Sequence, residues 1–254
     1  MSRIRVAAVQ QDTVWEDPGA NFARLAPRVD AAVAGGADLV VLCEMYSTGF
    51  SMATDRTAEK PDGPSTAFLV DQAEAHGIWM GGSIPVVVDD GLPRNRFVLA
   101  GPDGQMHHYD KIHPFSYSGE HERFAAGDEF VTVDLGGFRV GLFVCYDLRF
   151  ADEFWALAHD VDAYLIPANW PTKRREHWKA LLVARAIENQ AYVVGVNRVG
   201  TGGKLDYSGD SLVIDPFGEV IAAAAAVETT LIVDLDADRV REVREKFPFL
   251  PDRR

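Results

Sequence analysis

The sequence has few cysteines, a shortage of positive charge and no long apolar run. Two cysteines in 254 residues are too few for a disulfide framework, which points to a reduced, cytoplasmic setting with free thiols available for chemistry. Lys and Arg number 25 against 38 Asp and Glu, a net charge of -13. With the basic residues scattered, this charge excludes nucleic acid as a partner, because phosphate binding needs clustered cations. No stretch approaches the roughly 18 apolar residues of a membrane span, so no membrane partner is expected. The opening MSRIRVAAVQQD carries basic residues, but its short apolar segment runs straight into polar ones, so it reads as a first strand and not as a secretory leader. Neither a low-complexity linker nor a composition shift divides the chain, which reads as one domain over residues 1–254. The partner left by these absences is a neutral or modestly charged small molecule.

What is present is ample apolar content, 47% of residues, enough for a sizeable core. IRVAAVQ (4–10) predicts a strand, residues 17–36 a helix ending in glycines, and ADLVVLCE (37–44) a buried strand ending in a carboxylate. Residues 62–77 predict a second helix. Three strands follow in IWMGGSIPVVV, RNRFVLAG and QMHHYDK, joined by turns at DDG and PDG. In the second half, strands in FRVGLFVC, DAYLIPAN and AYVVGVNRV alternate with helices in ADEFWALAHD and HWKALLVARAIENQ. DSLVIDPFGEVIAAA and TTLIVDLDA read as closing strands, and the tail starts as a helix at DADRV. The alternation predicts an α/β layer architecture with a mixed sheet. GGSIP and GTGGKL lack the spacing of a nucleophile elbow and of a phosphate loop, and both read as turns. His107, His108, His113 and His121 fall near one another without zinc-ligand spacing, so no metal is expected.

Three residues at predicted strand ends carry chemistry. Cys145 closes GLFVC just before the polar YDLR and a predicted helix near Ala151. A thiol there can be both reachable and biased toward thiolate, although a lone cysteine is commonly only a small buried hydrophobe. Glu44 follows five apolar residues, where an ionised group is costly unless paired or used, and partial burial suits a general base. The neighbouring Cys43 reads as core. Lys111, in HHYDKIHPF, stands among aromatic residues where an ammonium can stabilise a developing oxyanion.

In this order the three resemble the nitrilase superfamily of carbon-nitrogen hydrolases, through VVLCEMYSTGFS, YDKIHPF and VCYDLRF. GEHERFAAGD is similar to the segment where that family carries a second glutamate, here Glu120. PANWP, HW and ARAIENQAYVVGVNRVG resemble the omega-amidase branch, whose members remove ammonia from the terminal amide of short keto-acid monoamides. Departures from the family pattern are Cys43, Pro114 and Ala151-Asp152.

The resemblance implies a four-layer αββα sandwich, a Glu44-Lys111-Cys145 triad with Glu120 orienting Lys111, and hydrolysis through a thioester. The backbone amide of Tyr146 is expected to share the oxyanion with Lys111. No cofactor is expected, because side chains supply every proton and charge. For a substrate carboxylate the forked guanidinium of Arg174 is the expected partner, with Arg149 and Arg175 as competitors and Tyr46 and Trp170 lining the pocket. A homodimer or higher homo-oligomer is implied, with Trp178, Leu181 and Leu182 as a candidate interface stripe. Hydrolysis of N-carbamoyl amines or amino acids is the rival enzymatic reading, and a non-catalytic scaffold of the same fold the remote one.

Overall fold

Apolar residues alternate along the strands so that each strand serves two layers at once. The computed structural model describes residues 3–88 and 91–253. Its first half contains β1 (Arg3–Gln10), α1 (Pro18–Ala34), β2 (Leu39–Val41), α2 (Thr54–Thr57), α3 (Pro64–His76), β3 (Trp79–Val86), β4 (Arg94–Ala100) and β5 (Met106–Asp110). There follow β6 (Thr132–Asp134), β7 (Arg139–Leu142), α4 (Ala151–Leu157), β8 (Ala163–Ala168), α5 (Arg175–Asn189) and β9 (Tyr192–Asn197). The chain closes with β10 (Val199–Gly202), β11 (Leu205–Ile214), β12 (Val220–Ala225), β13 (Thr229–Asp236) and α6 (Ala237–Lys246).

Among the described residues one sheet has the order β13-β1-β2-β3-β4-β5, and the other β10-β11-β9-β8-β7-β6 with β12 paired to β11. β1, β2 and β3 run parallel, as do β7, β8 and β9, while the outer strands pair antiparallel. Parallel neighbours need crossovers, and α1, α3, α4 and α5 supply them. In β1, Ile4, Val6 and Ala8 face the second sheet's Leu142 and Ile166 in one buried cluster. Ala7 and Val9 join Leu25 and Val29 of α1 and Leu69 of α3 in another. That period of two belongs to strands covered on both faces. Helix layers outside two face-to-face sheets make the expected αββα sandwich.

The helix α1 begins where Asp17 accepts a hydrogen bond from the Ala20 amide at 3.0 Å, with Pro18 at its first position, and ends before Gly35. Several expectations are corrected. GGSIP lies inside β3 and is a strand, not a turn; its glycines give Phe97 and Tyr46 the space that a Cβ would fill. The short β6 and the β10–β11 hairpin were not anticipated, the first being only three residues long and the second broken up by glycines. The stripe of α5 packs inside its own chain. Trp178 and Leu182 are fully buried against Gly195 of β9, and Leu181 packs partly buried against the same cluster, so this stripe is core and not an exposed interface. Asp89 and Asp90 of the DDG turn lie outside the described residues. Among the described residues no helix is long and apolar enough to cross a membrane.

Candidate active site

Both sheets send residues to one point. Glu44 lies three residues beyond the end of β2, Lys111 directly follows β5, and Glu120 opens a short helical turn further along the same loop. From the second sheet, Cys145 follows β7 and starts a 3-10 turn, Cys145–Arg149, that separates it from α4. Its φ of +47° is left-handed, a conformation that costs a non-glycine residue of order 1–2 kcal/mol and that clusters at functional sites. Met45, next to Glu44, has a φ of +43°.

Lys111, 1% exposed, donates from Nζ to Glu44 Oε1 at 2.9 Å and to Glu120 Oε2 and Oε1 at 2.9 and 3.1 Å. Both carboxylates are wholly buried. Asn95 of β4, absent from the sequence reading, donates from Nδ2 to Glu44 Oε1 at 2.8 Å and to Glu120 Oε1 at 3.0 Å. The second Glu44 oxygen accepts the Asn169 backbone amide at 2.8 Å, and Asn169 Nδ2 donates to the Glu44 carbonyl at 2.6 Å. Phe115 donates its amide to Glu120. Two anions and one cation are therefore held with their lone pairs largely satisfied, as buried charges require.

Burial pushes the Cys145 thiol well above its usual pKa, Glu44 adds to the rise, and Lys111 and the Asn169 amide act against it. Burial and the neighbouring carboxylates thus favour the thiol over the thiolate in the resting site. Burial alone would lower the Lys111 pKa, but Glu120 and then Glu44 outweigh it and keep the ammonium charged, well above its usual range. Cys43 is buried, its thiol is pushed up to about 12 by that burial, and Sγ meets the Val9 carbonyl at 3.4 Å, so it is core as expected.

Cys145 opens into a cavity of about 270 Å³ lined also by Phe115, Tyr146, Arg149, Asn169, Trp170 and Arg174. Of the residues expected to bind substrate, Tyr146, Trp170 and Arg174 line this cavity. Tyr46 does not: the chain turns at Met45, and Tyr46 is buried under α3, donating its hydroxyl to the Ser65 carbonyl and packing against Phe68. The competitor Arg149 is also in the wall, 4.8 Å from the Trp170 ring. Arg174 lies over Phe115 at 5.3 Å. Arg175 is spoken for by Asp210, which accepts at 2.6 and 3.0 Å.

Asp147 is a second residue missed by sequence reasoning. Its carboxylate accepts from the Val144 amide at 2.9 Å, the Tyr109 hydroxyl at 2.8 Å and the His113 amide at 2.9 Å, tying the Cys145 turn to the Lys111 loop. His113, Asp147 and Glu153 bring potential metal-ligand atoms within 4.8 Å of one another. Asp147 is already engaged by those three donors, and the His113 ring is engaged by Glu153.

A buried thiol brought together with a buried carboxylate and a fixed ammonium, in a four-layer α/β sandwich, is an arrangement suited to acyl transfer. The carbon-nitrogen hydrolase family profile matches residues 5–245. The chain is 40% identical to omega-amidase YafV of Escherichia coli (strain K12) over 255 residues, 99% of this chain and 97% of that protein. It is 34% identical to 2-oxoglutaramate amidase of Bacillus subtilis (strain 168) over 222 residues, 85% of each. Among solved structures, XC1258 from Xanthomonas campestris superposes with a TM-score of 0.95 at 39% identity, covering 100% of this chain and 98% of that one. That structure is described as a CN-hydrolase superfamily protein with an arsenic adduct in the active site. The chain belongs to the carbon-nitrogen hydrolase family.

Proposed function

We propose that the protein is an omega-amidase, which releases ammonia from the terminal amide of a short carboxylate-bearing substrate such as 2-oxoglutaramate. The observation that carries this reading is the pair Arg149 and Arg174 in the wall of the cavity that Cys145 opens into. Neither has a carboxylate within salt-bridge distance among the described residues, although acids outnumber bases 38 to 25 in the chain. Two unneutralised guanidinium groups in an otherwise largely apolar pocket favour an anionic end on the substrate.

In the proposed cycle Glu44 takes the Cys145 proton as the sulfur attacks the amide carbon. The new oxyanion is held by the Lys111 ammonium and by the Tyr146 amide, since the first amides of a helical turn lack an intrahelical acceptor. The C–N bond breaks as Glu44 returns the proton to nitrogen, and ammonia leaves a thioester. Water then attacks with Glu44 as base again, the C–S bond breaks, and the acid departs with the thiol restored. Glu120 keeps Lys111 charged and in place, and Trp170 orients Arg149 by stacking. We further read the chain as a single domain over 1–254 acting in the cytoplasm as a homodimer or higher homo-oligomer, with no cofactor.

The test is ammonia release from 2-oxoglutaramate, 2-oxosuccinamate, glutamine and a set of N-carbamoyl amino acids. Cys145→Ala should abolish turnover. Arg149→Gln and Arg174→Gln should each raise KM for the keto-acid amides about tenfold or more, with a smaller effect on kcat. Turnover of carbamoyl compounds alone would transfer the protein to the rival class, and turnover that survives in Cys145→Ala would remove the thiol from the mechanism.

A further inference from the structure

Part of the cavity wall comes from neither the Glu44, the Lys111 nor the Cys145 loop: it is Trp15 with the tip of the β10–β11 hairpin. Trp15 is 37% exposed and lines the cavity. The ring occupies space that three glycines leave open. A Cβ on Gly49, Gly202 or Gly203 would come to 3.0, 3.1 and 3.0 Å of its carbons, tighter than ordinary van der Waals contact, so that the ring would have to shift.

Arg198 fixes these pieces to one another. Fully buried, it donates from Nη2 to Asp12 Oδ1 at 3.0 Å and to the carbonyls of Thr13 and Thr201, both at 3.2 Å, and from Nε to the Val199 carbonyl at 3.1 Å. Its guanidinium lies 4.7 Å from the ring of Tyr207, another wall residue. Nη1 has no hydrogen-bond partner among the described residues and borders the same glycine patch, 2.6 Å from where a Gly202 Cβ would sit. The hairpin turn itself is tight: Gly203 and Lys204 both have positive φ, +55° and +68°, the signature of a two-residue turn. The segment carrying Trp15 extends from the first sheet and the hairpin belongs to the second, so this wall is a stiff seam between the two.

We infer that Trp15 is the specificity-determining wall that limits how long a substrate the cavity admits, and that Arg198 is the positioning residue that holds it. The inference rests on reading the cavity as a site for short carboxylate-bearing amides. It is tested by kcat/KM for succinamate, glutaramate, adipamate and suberamate with the full-length protein and Trp15→Ala, Trp15→Phe and Arg198→Lys. The wild type should favour the short members. Trp15→Ala should raise the suberamate-to-succinamate ratio about tenfold or more, since each accommodated methylene contributes about fourfold. Trp15→Phe should fall between. Arg198→Lys keeps a charge beside Asp12 but cannot serve four acceptors at once, so it should shift the ratio in the same direction.

A general loss of structure lowers all four rates together and leaves the ratio alone. If Trp15→Ala does not fold, Trp15→Phe and Arg198→Lys carry the test. An unchanged ratio in folded variants that retain turnover overturns the inference. If the wild type hydrolyses neither these amides nor 2-oxoglutaramate, the omega-amidase reading fails instead. The same ratio is then measured on the N-carbamoyl derivatives of glycine, β-alanine, γ-aminobutyrate and ε-aminohexanoate, where it upholds or overturns the wall independently.

Discussion

Replacing Asn95 by alanine removes a neutral side chain that donates to both buried carboxylates. Nδ2 reaches Glu44 at 2.8 Å and Glu120 at 3.0 Å, while its Oδ1 accepts the Ser83 hydroxyl at 2.9 Å. Hydrogen bonds to charged groups are each worth about 1.5–3 kcal/mol. The two losses therefore total at least about 3 kcal/mol before any water enters the space. For a chain of this size that corresponds to a fall in Tm of about 6–12 °C. Glu44 also loses one of the donors that set its position, and a misplaced base should lower kcat/KM by about tenfold or more. Asn95→Asp should be worse on both counts, because it sets a third carboxylate against the single Lys111 ammonium. Thermal unfolding and steady-state ammonia release measure the two effects. A Tm change under about 2 °C with kcat/KM within about twofold of wild type would refute the view that Asn95 holds this cluster.

The left-handed backbone at Cys145 makes a second prediction. Glycine ordinarily costs about 0.5–1 kcal/mol relative to alanine, but at a φ of +47° the alanine carries a penalty of about 1–2 kcal/mol. Of the two inactive variants, Cys145→Gly should thus unfold at the same temperature as Cys145→Ala or above it; a clearly more stable alanine variant would show that the backbone there is unstrained. Asp147 supplies a pH dependence, since burial pushes its carboxyl up to about 7 against the Lys111 charge and its three hydrogen bonds. Below that pH the protonated group no longer accepts fully at both oxygens, so kcat/KM should rise with pH through a limb near 7. Stability should move the other way. A folded pKa above the ordinary 3.8 means the folded form takes up the proton more readily, so this group's contribution is present below about 3.8 and is lost as pH rises toward 7. A rate limb that persists unchanged in Asp147→Asn assigns it to another group.

Glu44 and Cys145 were legible because each is a reactive side chain placed where an apolar run stops, and Lys111 because it stands among aromatic residues at a strand end. Burial of Glu44 is complete where only partial burial was expected, since Asn95 and Asn169 replace the water a strand-end carboxylate would otherwise keep. Neither asparagine announces itself: Asn95 sits opposite Pro85 in the β3–β4 pairing, and only that register carries it to Glu120. An asparagine inside the apolar RNRFVLAG strand was the available signal. Tyr46 falls outside the pocket because the left-handed turn at Met45 redirects the chain and carries it under α3. Alternation pointed to α/β layers with a mixed sheet and the family resemblance to their αββα order, whereas the α5 stripe reads alike whether a helix covers its own sheet or a partner's. Here Gly195 decides for the first, opening the groove that Leu182 and Trp178 fill.

The link from the Asn169 amide to Glu44 spans the two sheets: it joins the end of β8 in one to the loop after β2 in the other. The gap between base and nucleophile is therefore gauged by the thickness of the apolar filling between the sheets, not by any flexible loop. Val6, Val41 and Leu142, buried in that filling, act as shims. Trimming one of them should alter the spacing of base and nucleophile, so the core of this protein sets the tolerance to which its chemistry is built.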